Sequence, residues 1–305
     1  MSVLDAIGNT PLVEITNLWN SVKTGVRIMA KLEGSNPGGS VKDRPAYYML
    51  KEAVALGKLV PGKTILEPTS GNTVIGMAMV AAAMGFKIKL TMLACVSAER
   101  RNILQALGAE LELTPGSDRT DGAIRRAYHI IEQEGDGYFM PNQFDNPQNY
   151  LAHYHTTGPE ILQQTNGEVN VFVAGMGTTG TLMGCSMFFK EKKPSVKIIG
   201  IEPTLNHRIQ GLKNMQEAIV PKIYDPGRLD RIVSCTDEDA FDTTRDLSVR
   251  EGLFCGMSSG AAMWGAIQIA KDLSRGSTVV VIFPDRGDRY LSTEVFRSIC
   301  AICPP

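Results

Sequence analysis

Strand-like and helix-like segments alternate along almost the whole chain, and this alternation limits the possible folds more than any other feature. Short apolar runs such as KTILEP, FKIKLTML and VNVFVAG are separated by segments with helical spacing of apolar residues, for example Asp43 to Leu56. Strands that alternate with helices form parallel sheets covered by helices. The 305 residues are enough for two domains. We therefore predict an α/β protein of two units, with a seam near residues 141–150, where Pro, Asn and Asp cluster.

The charge balance and the cysteines narrow the class of protein. Lys and Arg total 31 against 32 Asp and Glu, which gives no long-range attraction for nucleic acid or an anionic membrane. No segment resembles a signal peptide or a membrane span. The six scattered cysteines are typical of reduced thiols, and the close pair Cys300 and Cys303 lacks the second pair of ligands that a metal site needs. We expect a cytoplasmic enzyme with a small-molecule partner and no metal.

A glycine motif after a predicted strand suggests one specific ligand. AGMGTTG contains Gly175, Gly177 and Gly180 in the G-x-G-x-x-G pattern, and Glu202 lies at the end of the next predicted strand. This spacing satisfies the description of a dinucleotide-binding loop, whose acidic residue binds a ribose hydroxyl. An NAD-dependent dehydrogenase is therefore one hypothesis.

The residues between these glycines favour a different ligand. Glycines let the backbone turn sharply and point several N–H groups at an anion, so the pattern suits any phosphate. Thr178, Thr179 and Thr181 add three hydroxyl groups, each a further donor. Three hydroxyls favour a terminal phosphate monoester over a bridging pyrophosphate. A tight turn whose threonines cap the next helix remains the alternative.

Two more turns and one lysine extend this site. TSGNT, GTTGT and GMSSG lie where predicted strands end or helices begin, and ligands of open parallel sheets bind at that edge. Lys42, in NPGGSVKDR, precedes a predicted helix, although a helix N-terminus favours negative charge. A lysine beside a phosphate site is typical of pyridoxal phosphate enzymes, in which the lysine forms a Schiff base with the cofactor aldehyde. We predict pyridoxal 5'-phosphate as the cofactor.

Five motifs also carry a resemblance to a known family. NPGGSVKDR, EPTSGNT, GMGTTGT, CGMSSG and DRGDRYLST occur in the order and approximate spacing of the cysteine synthases (O-acetylserine sulfhydrylases), which are fold type II pyridoxal phosphate enzymes. The resemblance runs from IGNTPLV to RYLSTEVF. It implies two three-layer α/β domains with mostly parallel sheets, similar to the tryptophan synthase β chain. Residues 1–40 and 150–305 would form the large cofactor-binding domain, and residues 41–149 a smaller mobile domain that carries the substrate carboxylate loop.

The resemblance also implies roles for individual residues. Lys42 matches the Schiff-base lysine, Asn72 the partner of the cofactor ring hydroxyl, and Ser258 the partner of the pyridine nitrogen. A neutral serine at that nitrogen limits carbanion character and so favours elimination. Two larger sets match the phosphate cradle and the substrate carboxylate site: Gly177, Thr178, Thr179, Gly180 and Thr181 for the phosphate, and Thr69, Ser70, Thr73 and Gln143 for the carboxylate.

The activity that the resemblance implies is a β-replacement. O-acetyl-L-serine loses acetate, and sulfide takes its place to give L-cysteine. Lys42 would take the α-proton as general base, and closure of the smaller domain would exclude water. The family resemblance further implies a homodimer.

GTTGT, FCGMSSG and DRGDRYLST resemble the B type of cysteine synthase. That type accepts other sulfur donors, including thiosulfate, which gives S-sulfocysteine, and it does not depend on a complex with serine acetyltransferase. Lys213 departs from the pattern, because relatives that use O-phosphoserine carry an arginine there, and lysine cannot form a bidentate fork. We expect Lys213, with Arg208, to bias substrate choice, or else to be a solvated loop charge. The alternatives are an O-phosphoserine-using cysteine synthase and another β-replacement enzyme, such as a cystathionine β-synthase.

Overall fold

Two β-sheets, one of six strands and one of four, organise the chain. The computed structural model describes residues 1–68, 71–94, 96, 98–115, 119–217 and 219–296, so the pair Cys300 and Cys303 lies outside the described residues. No helix in these described ranges is long and apolar enough to cross a lipid bilayer. The strands are β1 (Leu12–Glu14), β2 (Arg27–Leu32), β3 (Thr64–Pro68), β4 (Lys87–Leu93), β5 (Glu110–Thr114), β6 (Tyr138–Phe139), β7 (Val171–Gly175), β8 (Lys197–Pro203), β9 (Arg231–Cys235) and β10 (Thr278–Phe283). The α-helices are α1 (Ser21–Thr24), α2 (Asp43–Ala55), α3 (Asn72–Met84), α4 (Ala98–Ala106), α5 (Arg119–Glu134), α6 (Gln148–Ala152), α7 (Gly158–Gln164), α8 (Gly180–Lys192), α9 (Asp237–Glu251) and α10 (Met257–Ala270), and a π-helical turn (His153–Thr157) joins α6 to α7.

The six-stranded sheet contains strands from both the N-terminal and the C-terminal parts of the chain. Its order is β1-β2-β10-β7-β8-β9, with β1 antiparallel to β2 and every other neighbouring pair parallel. All six residues of β10 are buried, because helices cover both faces of the sheet. The four-stranded sheet has the order β5-β4-β3-β6 and is parallel throughout. The prediction of mostly parallel sheets is confirmed.

Each sheet lies between two layers of helices. Val279 and Val281 of β10 belong to a core with α9 and α10, whereas Val280 and Ile282 belong to a core with α7 and α8. This separation follows from the two-residue period of a strand. The four-stranded sheet packs against α2, α3 and α4 on one face and α5 on the other. The predicted pair of three-layer units is therefore present.

A buried cluster of four charges fixes the start of α2. Arg44 donates from Nε to Glu33 at 2.7 Å and from Nη1 to Glu160 at 2.6 Å, and Lys31 Nζ donates to Glu160 at 2.7 Å. Burial alone would raise the pKa of Glu160, but the hydrogen bonds from Arg44 and Lys31 lower it to about 2. The cluster joins β2, α7 and the first turn of α2. It thereby holds the helix that begins directly after Lys42.

Candidate active site

The three glycine-containing turns converge at one edge of the six-stranded sheet. A Cβ added to Gly177 would lie 2.5 Å from the carbonyl oxygen of Gly211, and one added to Gly211 would lie 3.9 Å from Ser258 Oγ. Asn72 Nδ2 donates to Asp285 Oδ2 at 2.5 Å. Asn72 begins α3, Ser258 lies in the first turn of α10, and α8 follows the GTTGT turn. Three helix N-termini, each with a partial positive charge, therefore face one region.

Lys42 lies at the N-terminal boundary of α2 and is half-buried. Its carbonyl oxygen accepts the first helical hydrogen bond, from Ala46 N at 3.0 Å, while Nζ makes no hydrogen bond with any described residue. Burial lowers the pKa of Lys42 to about 8, against the opposing effect of the negative charges on Asp285 and Glu33. A lysine with a lowered pKa is a better nucleophile toward an aldehyde, because more of it is neutral.

Two glycines before Lys42 make room for charged groups. Gly38 N donates to Asp43 Oδ2 at 2.6 Å, and Arg289 Nη2 donates to the Gly38 carbonyl. A Cβ on Gly38 would lie 2.6 Å from Asp43 Oδ1, and one on Gly39, which has φ +80°, would lie 2.6 Å from Arg289 Nη2. Larger residues would displace the carboxylate or the guanidinium. The Gly-Gly pair therefore shapes the loop that presents Lys42.

The GTTGT turn contains two buried hydroxyl groups that find no partner in the described part of the chain. Thr178 and Thr179 are buried, and Oγ1 of each makes no hydrogen bond with a described residue. Thr179 also has φ 66°, a conformation that β-branched residues rarely adopt. A Cβ on Gly180 would collide with the side chain of Asn149. Buried hydroxyls without partners are costly, so this turn is suited to a ligand that supplies oxygen acceptors.

His153 supports the third threonine of the turn from behind. Its Nε2 lies 3.3 Å from Thr181 Oγ1 and its Nδ1 lies 2.9 Å from Thr157 Oγ1. Burial and the positive charge of Arg44 lower the pKa of His153 to about 3, so the ring is neutral at physiological pH. A neutral imidazole offers one donor and one acceptor, and two hydroxyls satisfy both. These contacts give His153 a structural role.

The predicted carboxylate residues Thr73 and Gln143 are in direct contact. Thr73 Oγ1 donates to Gln143 Oε1 at 2.6 Å, and Asn149 Nδ2 donates to the Gln143 carbonyl at 2.6 Å. Both contacts hold Gln143 beside the first turn of α3. Thr69 and Ser70 lie outside the described residues.

Glu67 is a residue of this site that the sequence analysis missed. Its buried carboxylate accepts from Asn142 N at 3.2 Å. Burial raises the pKa of Glu67 to about 7, although hydrogen bonds from Gln143 and Asn142 oppose the shift. The signal in the sequence was a single acidic residue inside the apolar run TILEP, where an unpaired charge would be costly.

Asn72 and Ser258 face the same region from two helices. Asn72 Oδ1 accepts from Arg289 Nη1 at 2.6 Å, and the Asn72 amide group donates to Asp285. Ser258 is buried, and its hydroxyl makes no hydrogen bond with the described residues. Arg289 and Asp285 were missed because DRGDRY looks like a charged surface segment.

These residues fit a phosphate monoester attached to an aromatic ring with an aldehyde. The unpartnered hydroxyls of Thr178 and Thr179 can donate to the phosphate, and Lys42 can bond the aldehyde. Ser258 offers a neutral hydroxyl of the kind that can face a pyridine nitrogen. The dinucleotide hypothesis loses its acidic residue, because the Glu202 carboxylate accepts from Met215 N at 2.8 Å and so holds a loop.

Lys213 and Arg208 lie in different surroundings. Lys213 Nζ is 4.2 Å from the centre of the Phe144 ring, next to Gln143, and burial lowers the pKa of Lys213. Arg208 is exposed and pairs with Asp237 and Glu294. The structure therefore brings Lys213 toward the carboxylate residues and engages Arg208 in surface ion pairs.

Residues 3–285 match a family model described as pyridoxal-phosphate dependent enzyme, and the chain belongs to that family. Cysteine synthase B of Salmonella typhimurium is 46% identical over 290 residues, which cover 95% of this chain and 94% of that protein. Cysteine synthase of Aquifex aeolicus is 43% identical over 300 residues, 97% of this chain and 92% of that protein. The crystal structure of cysteine synthase (OASS) from Entamoeba histolytica has a TM-score of 0.93 at 38% identity, and covers 97% of this chain and 90% of that chain.

Within the family the chain fits the B type of cysteine synthase. The match extends over nearly the whole chain, as the five motifs indicated. The predictions of a fold type II enzyme and of pyridoxal 5'-phosphate as its cofactor are confirmed.

Proposed function

We propose that this protein is a cysteine synthase that converts O-acetyl-L-serine and sulfide into L-cysteine and acetate. The observation that carries this proposal is a lysine with a lowered pKa and no partner among the described residues, at the same sheet edge as the unpartnered buried hydroxyls of Thr178 and Thr179. The full-length similarity to cysteine synthases supports it.

In this proposal the chain holds the cofactor at four points. Lys42 Nζ would bond the aldehyde, Asn72 would hydrogen-bond the ring hydroxyl, Ser258 would face the pyridine nitrogen, and the turn before α8 would hold the phosphate. The bound cofactor supplies an aromatic system that accepts electron density from the substrate α carbon. The phosphate residues are Gly177, Thr178, Thr179, Gly180 and Thr181.

Side chains of the protein would bind the substrate and transfer its proton. Thr73 and Gln143, with Thr69 and Ser70, bind the substrate carboxylate, and the N-terminus of α3 adds its dipole. The Lys42 amine would take the proton from the α carbon. The bond from the β carbon to the acetate oxygen breaks, a bond to sulfur replaces it, and Lys42 returns a proton to the α carbon.

The reaction can be tested on the purified protein loaded with pyridoxal 5'-phosphate. O-acetyl-L-serine should change the visible absorbance of the bound cofactor, and sulfide should restore it while L-cysteine appears. Thiosulfate in place of sulfide tests for S-sulfocysteine, and homocysteine tests the cystathionine β-synthase alternative. A colourless protein that binds NADH would overturn the proposal.

A second candidate function is a cysteine synthase that uses O-phosphoserine as its substrate, and the position of Lys213 favours it. Its ammonium group contacts the Phe144 ring and has no anionic partner among the described residues. An incoming phosphate could pair with it, although less specifically than with arginine. We expect Lys213→Ala to reduce kcat/KM for O-phosphoserine more than for O-acetylserine or thiosulfate. Equal small losses on all three would contradict this role.

We also propose a cytoplasmic homodimer that does not depend on serine acetyltransferase. Residues 41–149 would act as the smaller, mobile domain, and residues 1–40 with 150–305 as the cofactor-binding domain. The charge balance and the family resemblance support these assignments. Light scattering at two protein concentrations measures the oligomeric state, and a monomer at both would contradict the dimer.

A further inference from the structure

The segment from Pro284 to Tyr290 lies between the elements that carry the cofactor residues. Val41 N donates to the Pro284 carbonyl at 2.8 Å, and Gly256 N donates to the Asp285 carbonyl at 3.2 Å. Ser40 and Asp285 also form an isolated antiparallel bridge. This segment therefore joins the loop before Lys42 to the start of α10.

Arg289 extends these connections to a third element. Its Nη1 donates to Asn72 Oδ1 at 2.6 Å, and its Nη2 donates to the Gly38 carbonyl. Because Gly39 has no Cβ, the guanidinium can occupy the space beside its backbone. One planar group thus binds both the residue at the start of α3 and the loop that presents Lys42.

The chemistry of the partners fixes the orientation of the Asn72 amide. A guanidinium can only donate, so the oxygen of Asn72 must face Arg289. The amide nitrogen then faces Asp285, whose Oδ2 also accepts from Tyr290 Oη at 2.5 Å. One N–H of Asn72 is used by Asp285, and the other has no acceptor among the residues that the structure describes, so it is available to a ligand. A reversed amide would place its NH₂ group against the guanidinium.

We propose that Arg289 is a positioning residue for the cofactor, which holds Asn72 and the Lys42 loop at a fixed separation. The ring hydroxyl and the aldehyde of pyridoxal phosphate are on adjacent ring atoms, so their two protein partners must be spaced correctly at the same time. The inference rests on the proposed roles of Lys42 and Asn72. It assigns a function to the second arginine of DRGDRY, which makes no contact with substrate in this scheme.

The test is a titration of the apoenzyme with pyridoxal 5'-phosphate in the absence of substrate. Arg289→Met keeps an unbranched apolar stem and removes the guanidinium donors, and we expect the Kd for the cofactor to rise roughly tenfold to hundredfold, because hydrogen bonds to charged groups are lost. The absorbance maximum of the bound cofactor should shift as Asn72 loses its fixed orientation. The Kd of Arg289→Lys should lie between those of the wild type and Arg289→Met. An ammonium is a point donor and lacks the fork that reaches both oxygens.

Arg286→Met is the matched control. Arg286 is exposed and pairs with Asp288, three residues before Arg289 in the same segment, so its loss should leave the Kd and the spectrum unchanged. A purely structural role would lower the unfolding midpoint of Arg289→Met and leave the cofactor affinity of the folded fraction as in the wild type.

A Kd within twofold of the wild type for Arg289→Met, or an equal loss in Arg286→Met, overturns the proposal. If Arg289→Met does not fold, Arg289→Lys is the deciding variant. Wild-type cofactor affinity in Arg289→Lys would exclude a role in which Arg289 holds both Asn72 and the Lys42 loop. Because the titration contains no substrate, it is independent of the proposed reaction, which fails only if the loaded wild-type protein forms no L-cysteine.

Discussion

Replacement of Thr179 by glycine should stabilise the apoprotein and weaken cofactor binding. Thr179 has φ 66° and a buried hydroxyl that no other described residue contacts by a hydrogen bond. A β-branched residue in the left-handed region costs about 1–2 kcal/mol, and an unsatisfied buried hydroxyl costs about 1–3 kcal/mol. Glycine relieves both costs and loses about 0.5–1 kcal/mol through the entropy of the unfolded chain. We expect a net gain of about 1–4.5 kcal/mol in the free energy of unfolding of the apoprotein.

The same replacement should weaken the binding of the cofactor. In the proposed site the Thr179 hydroxyl donates to the phosphate, and a hydrogen bond to a charged group contributes about 1.5–3 kcal/mol. Its loss corresponds to a rise in Kd for pyridoxal 5'-phosphate of roughly tenfold to hundredfold. The backbone of the turn is unchanged, because glycine adopts the same conformation freely.

Urea unfolding of the apoprotein measures the first effect, and titration with pyridoxal 5'-phosphate measures the second. Thr178→Gly is the matched control. It removes an equivalent buried hydroxyl at a position without positive φ, so it should gain less stability while it also loses affinity. An apoprotein of Thr179→Gly that is less stable than the wild type, or a Kd that does not change, would refute the reasoning.

Four further predictions concern Lys42 and the charged cluster around Arg44. Lys42→Ala should abolish turnover, and borohydride should retain the cofactor covalently in the wild type and not in this variant. Because burial lowers the pKa of Lys42 to about 8, the rate at which the apoenzyme captures pyridoxal phosphate should rise about tenfold per pH unit and level off above about pH 8; a rise that continues to pH 10 would contradict the lowered pKa. Arg44→Met should cost about 3–5 kcal/mol in urea unfolding, because Glu33 remains buried without its cation. The lowered pKa of Glu160 contributes stability to the wild type that is present above about pH 4.5 and lost as the pH falls through about 2. This loss of stability in acid should be smaller in Arg44→Met. Equal dependence of stability on pH in the two proteins would show that Arg44 and Glu160 are not coupled.

The architecture could be predicted because its signals are local. The apolar spacing predicted a helix from Asp43 to Leu56, and α2 runs from Asp43 to Ala55. The run VNVFVAG predicted a strand, and β7 occupies Val171–Gly175. Apolar period and turn residues determine both, and neither depends on distant parts of the chain.

The pairings between distant segments could not be predicted in the same way. No local pattern indicates that β2 inserts between β1 and β10. The contact between Thr73 and Gln143 was reached through the family resemblance, whereas Glu67 and Arg289 were missed. A charged residue reveals its partner only when the fold is known, so a buried glutamate or a bridging arginine looks like an ordinary surface charge.

The pairing of β2 with β10 also determines the order of events during synthesis. The ribosome releases Lys42 more than two hundred residues before Arg289, yet the loop before Lys42 is held by Pro284 and Arg289. Until β10 emerges, one edge of β2 stays open, and open apolar edges promote aggregation of nascent chains. The lysine therefore acquires its binding-competent surroundings only when almost all of the chain has been made. Cofactor capture is in this sense a check on completed translation, and fragments that end before Arg289 should not retain pyridoxal phosphate.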